Sequence, residues 1–289
     1  MNGRNNASEV EWPANGLLKH LDSLYSQYNR YEYIRPDPLE CVYRFQGFAD
    51  REIVGLIASS LAFGGVKQIL GSVDIVLRRM KNPGGFVLDS RDSDLRKVCE
   101  GFRHRYATGE DLAYLLIGIK QALEVWGSLN GCFTAGYEVK HGSILPALTE
   151  FVDRLRKPDP RPRNFLLPSP RDGSACKRLN MYLRWMVRRD AVDPGVWEGV
   201  SSSHLLVPVD THMFRVGRLL GFTQRKQGDL RAALEITAAF ARYVPEDPVR
   251  YDFALTRLGI RSDTTGYESL AMYRALSQGE SAVNTNAAE

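Results

Sequence analysis

Apolar residues in this chain recur at intervals of three, four and seven, and no stretch alternates apolar and polar residues long enough to make a strand. That periodicity restricts the chain to packed helices, an all-α fold. Leu17, Leu18, Leu21, Leu24 and Tyr25 form one stripe and predict a helix from about Leu17 to Tyr28. Asp37 and Pro38 suit the start of a short helix, with the proline in its first turn. Ile53, Val54, Ile57 and Leu61 form the core face of a helix opened by Asp50, with Glu52 favouring its N-terminus. Gly64-Gly65 ends it. The next helix spans Val66–Met80, and Asn82-Pro83-Gly84-Gly85 closes that one. Thr108-Gly109-Glu110-Asp111 introduces a helix over Leu112–Trp126, and another amphipathic helix runs from Ile144 to Leu155.

With 289 residues, 44% of them hydrophobic, the chain can bury a sizeable core. The expected layout is one unit over residues 13–279, made of two helical subdomains (roughly 50–160 and 161–278) with a cleft between them. Residues 1–12 and 280–289 are polar and expected to be flexible. A net charge of +4 is only mildly basic and does not by itself define a nucleic-acid binder. Cys41, Cys99, Cys132 and Cys176 stand singly, so neither a metal site nor a disulfide framework is suggested. The N-terminus lacks a signal peptide's apolar core, and no run reaches the roughly 18 apolar residues of a membrane span. A cytoplasmic monomer is expected.

Two stretches carry the candidate chemistry. In Pro208-Val209-Asp210-Thr211-His212-Met213-Phe214-Arg215-Val216, Pro208 excludes a helix upstream, while Met213, Val216, Gly217 and Leu220 start one downstream. Asp210 therefore stands at an N-cap, with Arg215 and Arg218 on the solvent side. It is either a cap alone or a cap that also serves a cationic transition state. In the second stretch, 173–189, Leu179, Tyr182, Leu183 and Met186 form a buried stripe. Lys177, Arg184 and Arg188 share another face. Lys177 in the first helical turn is either an amine nucleophile towards a sugar's anomeric carbon or a phosphate-binding or solvated lysine.

Ahead of Lys177, residues 157–173 hold five of the chain's fourteen prolines among basic side chains, a long connection that is not helical throughout. A positive loop at a helix start suits phosphate, which makes Arg171, Gly173, Ser174, Arg178 and Arg184 candidate backbone contacts. Phe63-Gly64-Gly65, with Lys67 and Gln68 behind it, is either a simple glycine turn or a loop that enters nucleic acid. Trp185, Trp197, Phe214 and Phe253 are candidates to sandwich an extruded base, or are simply core. His212 reads as a structural hydrogen-bonding residue.

VPVDTHMFRV resembles the aspartate segment of the helix-hairpin-helix DNA glycosylases. The wider chain resembles a bacterial family named only as domain of unknown function 2400, a distant branch of that superfamily. The likeness covers roughly residues 50–260. It is specific at VPVDTH and moderate around Lys177 and at Tyr251–Ile260. The order lysine then aspartate is kept, and the spacing, 210 − 177 = 33 residues, is closest to the archaeal 8-oxoguanine glycosylase branch. The resemblance implies a base-excision N-glycosidase acting on damaged duplex DNA. Lys177 would form a Schiff base with the sugar, and Asp210 would support the cationic transition state. It also implies that the Phe63-Gly64-Gly65 loop wedges into the duplex. The usual hairpin glycines are reduced here to Gly173, and the iron–sulfur cysteines are missing, so no cofactor is expected. The alternatives are a nucleic-acid-binding protein of the same fold without the chemistry, and a glycosidase acting on RNA or free nucleosides.

Overall fold

The structure, a computed structural model, describes residues 14–260. The segments 1–12 and 280–289 lie outside the described residues. What is described is mostly helical, as the periodicity requires. The first helix, α1 (Ala14–Tyr28), uses the Leu17–Leu21–Leu24 stripe. A short 3-10 helix, Pro38–Arg44, follows, with Pro38 in its first turn and the Asp37 carboxylate accepting the Leu39 N–H.

The second helix, α2 (Phe48–Ser60), is buried all round from Glu52 to Ser60 rather than along one stripe. The 3-10 segment and the helix that carries Lys177 both pack against it. Its cap is Gly47, three residues before the expected start. Asp50 instead accepts the Gly84 N–H at 2.8 Å, at the start of a different helix. Glu52 was expected to favour the start of its own helix. Its carboxylate turns inward and accepts the N–H groups of Leu129 and Asn130 at 3.3 and 2.6 Å.

Gly64 and Gly65 separate α2 from α3 (Val66–Met80) as the sequence indicates. The expected closing turn at Asn82 is the cap of a further short helix, α4 (Pro83–Asp89), with Pro83 at its first position. After α5 (Asp92–Val98) comes a hairpin too short for alternation to show. Its strands are β1 (Arg103–His104) and β2 (Ala107–Thr108), antiparallel, with His104 opposite Ala107. Thr108 then caps α6 (Gly109–Trp126) through a reciprocal box with Asp111.

The helices α7 (Leu129–Thr134) and α8 (Leu145–Arg156) cover α6. Gly118 lets α6 and α8 touch backbone to backbone, since a Cβ there would lie 2.0 Å from the Leu155 carbonyl oxygen. The remaining helices are α9 (Lys177–Val187), α10 (Thr211–Leu219), α11 (Leu230–Ala241) and α12 (Asp252–Ile260). Both α1 and α10 pack against α12. One continuous apolar core runs from Leu17 on α1 to Leu255 on α12. Among the described residues no helix is long and apolar enough to cross a membrane.

Candidate active site

Two helix starts converge on one cleft. The loop into α9 turns through two left-handed residues, Gly173 (φ +71°) and Cys176 (φ +45°). A non-glycine residue there costs about 1–2 kcal/mol, and its neighbours hold it. Asn180 donates its side-chain amide to the Ala175 carbonyl at 2.9 Å, and the Leu230 N–H donates to the Gly173 carbonyl at 3.0 Å. Lys177 is thus the first helical residue of α9. The Cys176 thiol beside it is pushed up to about 11 by burial, so it is not a competing nucleophile near neutral pH.

The second start is α10. Asp210 is extended (φ −97°, ψ −173°), and its Oδ1 accepts the Met213 N–H at 2.7 Å, the cap anticipated from the sequence. Arg215 and Arg218 lie on the exposed face of α10. Lys177 and Asp210 both line a cleft of about 700 Å³ whose walls include Phe63, Arg178 and Phe214. Both also line an adjoining cavity of about 380 Å³ that adds Arg184, Asp252 and Phe253. Side chains 33 residues apart (210 − 177) therefore bound the same two spaces.

Other candidates fall on either side of this site. Gly173 and Ser174 line the larger cleft, and Gly64 lines the smaller cavity. Gly64, Gly65, Lys67 and Gln68 are exposed at the start of α3. Arg171 is exposed and pairs with Asp153 at 3.0 Å. Arg178 is half-buried beside the cleft, and desolvation pushes its guanidinium down to about 10, still charged at neutral pH. It donates to the Ser60 and Phe165 carbonyls and lies 5.0 and 4.9 Å from the rings of Phe63 and Phe165. Phe214 lines the larger cleft.

Three candidates are corrected. Arg184, expected on a DNA-facing surface with Lys177, is 4% exposed and lies at the wall of the smaller cavity instead. It pairs with Asp252, and with Asp193 at 3.2 Å. One turn on, Arg188 pairs with Asp190, Asp193 and Asp247. The spacing that aligned these arginines with Lys177 is real, but carboxylates from other elements cover that face beyond the first turn. Trp185 is fully buried and Trp197 nearly so. The Trp197 ring packs on Tyr182 and Phe133, at 5.3 and 5.4 Å between centroids. Both tryptophans are core rather than base pocket.

The residue that sequence reasoning missed is Asp252. It opens α12, is 5% exposed and sits at the wall of the smaller cavity with Lys177 and Asp210. Burial pushes its carboxyl up to about 6, the Arg184 guanidinium pulls it down, and the Asp210 charge raises it again. The only signal was an acidic residue near the head of Tyr251–Ile260, the stretch of moderate resemblance, and an acid at a helix start ordinarily means no more than a favourable helix dipole. A second carboxyl titrating near pH 6 beside an amine and a capping aspartate can hold or release a proton in the working pH range.

The chain belongs to the family described as a protein of unknown function, DUF2400, whose model matches residues 37–261. No curated protein and no solved structure matches it.

Proposed function

We propose that this DUF2400 member is a DNA N-glycosidase of the base-excision type with an abasic-site lyase step. One observation carries the reading: two helix starts bring the Lys177 amine and the Asp210 carboxylate to the walls of one cleft, beside a cavity of about 380 Å³. A space of that size suits a single nucleobase lifted out of its stack. The Lys177 nitrogen attacks C1′ of the sugar. The C1′–N bond breaks, and the base leaves with the electron pair and takes a proton. Ring opening gives an iminium, the Schiff base. Loss of a C2′ proton then expels the 3′ phosphate, and water releases the lysine. Asp210, its carboxylate fixed by the Met213 N–H, faces the positive charge that grows on the sugar and favours that transition state. Phe63 supplies an apolar wall against which the base stacks, while Phe253, 3% exposed and covered by Arg257 at 4.4 Å, only backs the cavity.

Borohydride trapping on DNA carrying oxidised purines, oxidised pyrimidines, uracil or an abasic site, each offered both as a single strand and as a duplex, tests this directly, because reduction fixes the Schiff base as a stable adduct. At least one substrate should give an adduct, and Lys177→Gln should give none. Duplex binding that weakens steeply with salt, without base release or adduct on any of the four, would replace the enzyme by the binding-only reading.

A further inference from the structure

A line of aromatic rings leads from the cleft to the surface. Phe63, on the loop between α2 and α3, lines both spaces at the candidate site. Phe165, from the proline-rich loop, packs 5.0 Å from it, and Tyr106, at the tip of the β1–β2 hairpin, packs 6.0 Å from Phe165. The rings become more exposed outward, with Phe165 at 44% and Tyr106 at 70%. Arginines flank the line. Arg178 lies against Phe63 and Phe165, and the Arg105 guanidinium lies 5.5 Å from the Tyr106 ring centre.

A two-residue hairpin loop ordinarily places Gly, Asn or Asp where the backbone is left-handed. Here Arg105 takes that position at φ +51°. Its aliphatic stem packs so closely on Gly64 that a Cβ there would lie 2.9 Å from the Arg105 Cδ. His104 locks the tip in place, its Nε2–H donating to the Phe63 carbonyl at 2.9 Å and its Nδ1 accepting the Ser72 hydroxyl at 2.8 Å. Three separate loops are thus held so that their rings form one surface continuous with the cleft. Every nucleobase has a π face, and rings interleaved with arginines bind unpaired bases and their phosphates without regard to sequence. Paired bases within a duplex cannot offer those faces.

We propose that Phe63, Phe165 and Tyr106 form a stacking platform that carries unpaired nucleotides of a DNA strand to the cleft, so that the substrate is a single-stranded or gapped region rather than intact duplex. This rests on the reading that the cleft receives a nucleobase.

The test is fluorescence anisotropy with a labelled oligothymidylate and a duplex of equal length at matched salt, using the full chain. Tyr106→Ala and Phe165→Ala should each weaken oligothymidylate binding about tenfold, and the double variant more than either but by less than the product, because the two rings touch. Duplex affinity should change by less than about twofold, because no phosphate-neutralising charge is removed. Tyr106→Phe, which keeps the ring, should bind as wild type. Both side chains are exposed, and the Phe165 backbone carbonyl that accepts Arg178 survives substitution, so thermal melting should fall only slightly, for the lost ring contacts of Phe165, and folding is checked separately. Wild-type affinity in the double variant, or equal losses on both ligands, overturns the platform. Its fate is separable from that of the lyase reading. Loss of oligothymidylate binding with no trapping of any substrate leaves the platform and removes the enzyme; trapping without that loss does the reverse.

Discussion

Asp210 and Glu52 do the same local job in opposite surroundings. Each carboxylate accepts backbone N–H groups at the first turn of a helix, Asp210 at α10 and Glu52 at α7. Asp210 opens onto a cleft and shares it with an amine. Glu52 is fully buried, with Tyr182 nearby and the Trp197 indole N–H close but outside hydrogen-bond geometry. Burial pushes the Glu52 carboxyl up to about 7, an effect that the Asn130 and Leu129 N–H donors only partly offset. The pair teaches that helix capping prepares a carboxylate for chemistry only where solvent and a substrate can reach it. Elsewhere the same hydrogen bonds merely reduce the penalty of burying charge.

The largest effect that would sharpen this contrast is at the open end. Lys177→Gln should abolish borohydride trapping altogether while lowering duplex affinity only slightly, one charge among many being lost; residual adduct would move the nucleophile elsewhere. Next is Asp210→Asn. Asparagine still caps, so melting should be almost unchanged, yet base release should fall about 10²–10³-fold because the charge facing the cationic sugar is gone. If melting falls as steeply as rate, Asp210 and Glu52 are alike after all.

Asp252→Asn comes third. Wild-type base release should decline below about pH 6, where Asp252 takes a proton and Arg184 loses one of its two carboxylate partners. The variant should be about tenfold slower and should lack that inflection, its Arg184 facing the developing cation at every pH; an inflection that survives clears Asp252 of the role.

The smallest effect belongs to the sealed carboxylate. Glu52 binds its proton more tightly in the folded than in the unfolded chain, since its folded value of about 7 lies above the usual 4.5. Its contribution is therefore greatest below about pH 4.5 and is lost as pH rises through about 7, by at most about 3 kcal/mol. Glu52→Gln should remove this slope from denaturant melts between those limits and leave the rate of base release untouched. A rate change would mean that the buried carboxylate communicates with the cleft.

The sequence made the helical class, the cap at Asp210 and the helix introduced by Thr108 legible because each is encoded by neighbours within a turn. The same locality put Lys177 in the first turn of its helix, and the structure makes it the first residue of α9. Arg184 was misplaced for a complementary reason. Helical spacing assigns a face, but what covers that face is decided by Asp193 and Asp252, residues 9 and 68 positions away. Trp185 and Trp197 failed likewise, since an aromatic at helical spacing looks the same whether it lines a pocket or fills a core. The β1–β2 hairpin was invisible because two residues per strand cannot display a period, and with it went Tyr106.

The smaller cavity has a further consequence, for the order in which it is built. Its walls are drawn from Pro36, Phe63, Lys177, Asp210 and Asp252, so α12 closes a space that the preceding helices only outline. On the ribosome, Lys177 and Asp210 emerge well before Asp252, and until α12 docks Arg184 lacks one of its two buried carboxylate partners. A chain stalled ahead of α12 would hold both candidate reactive groups with no finished chamber in which to use them.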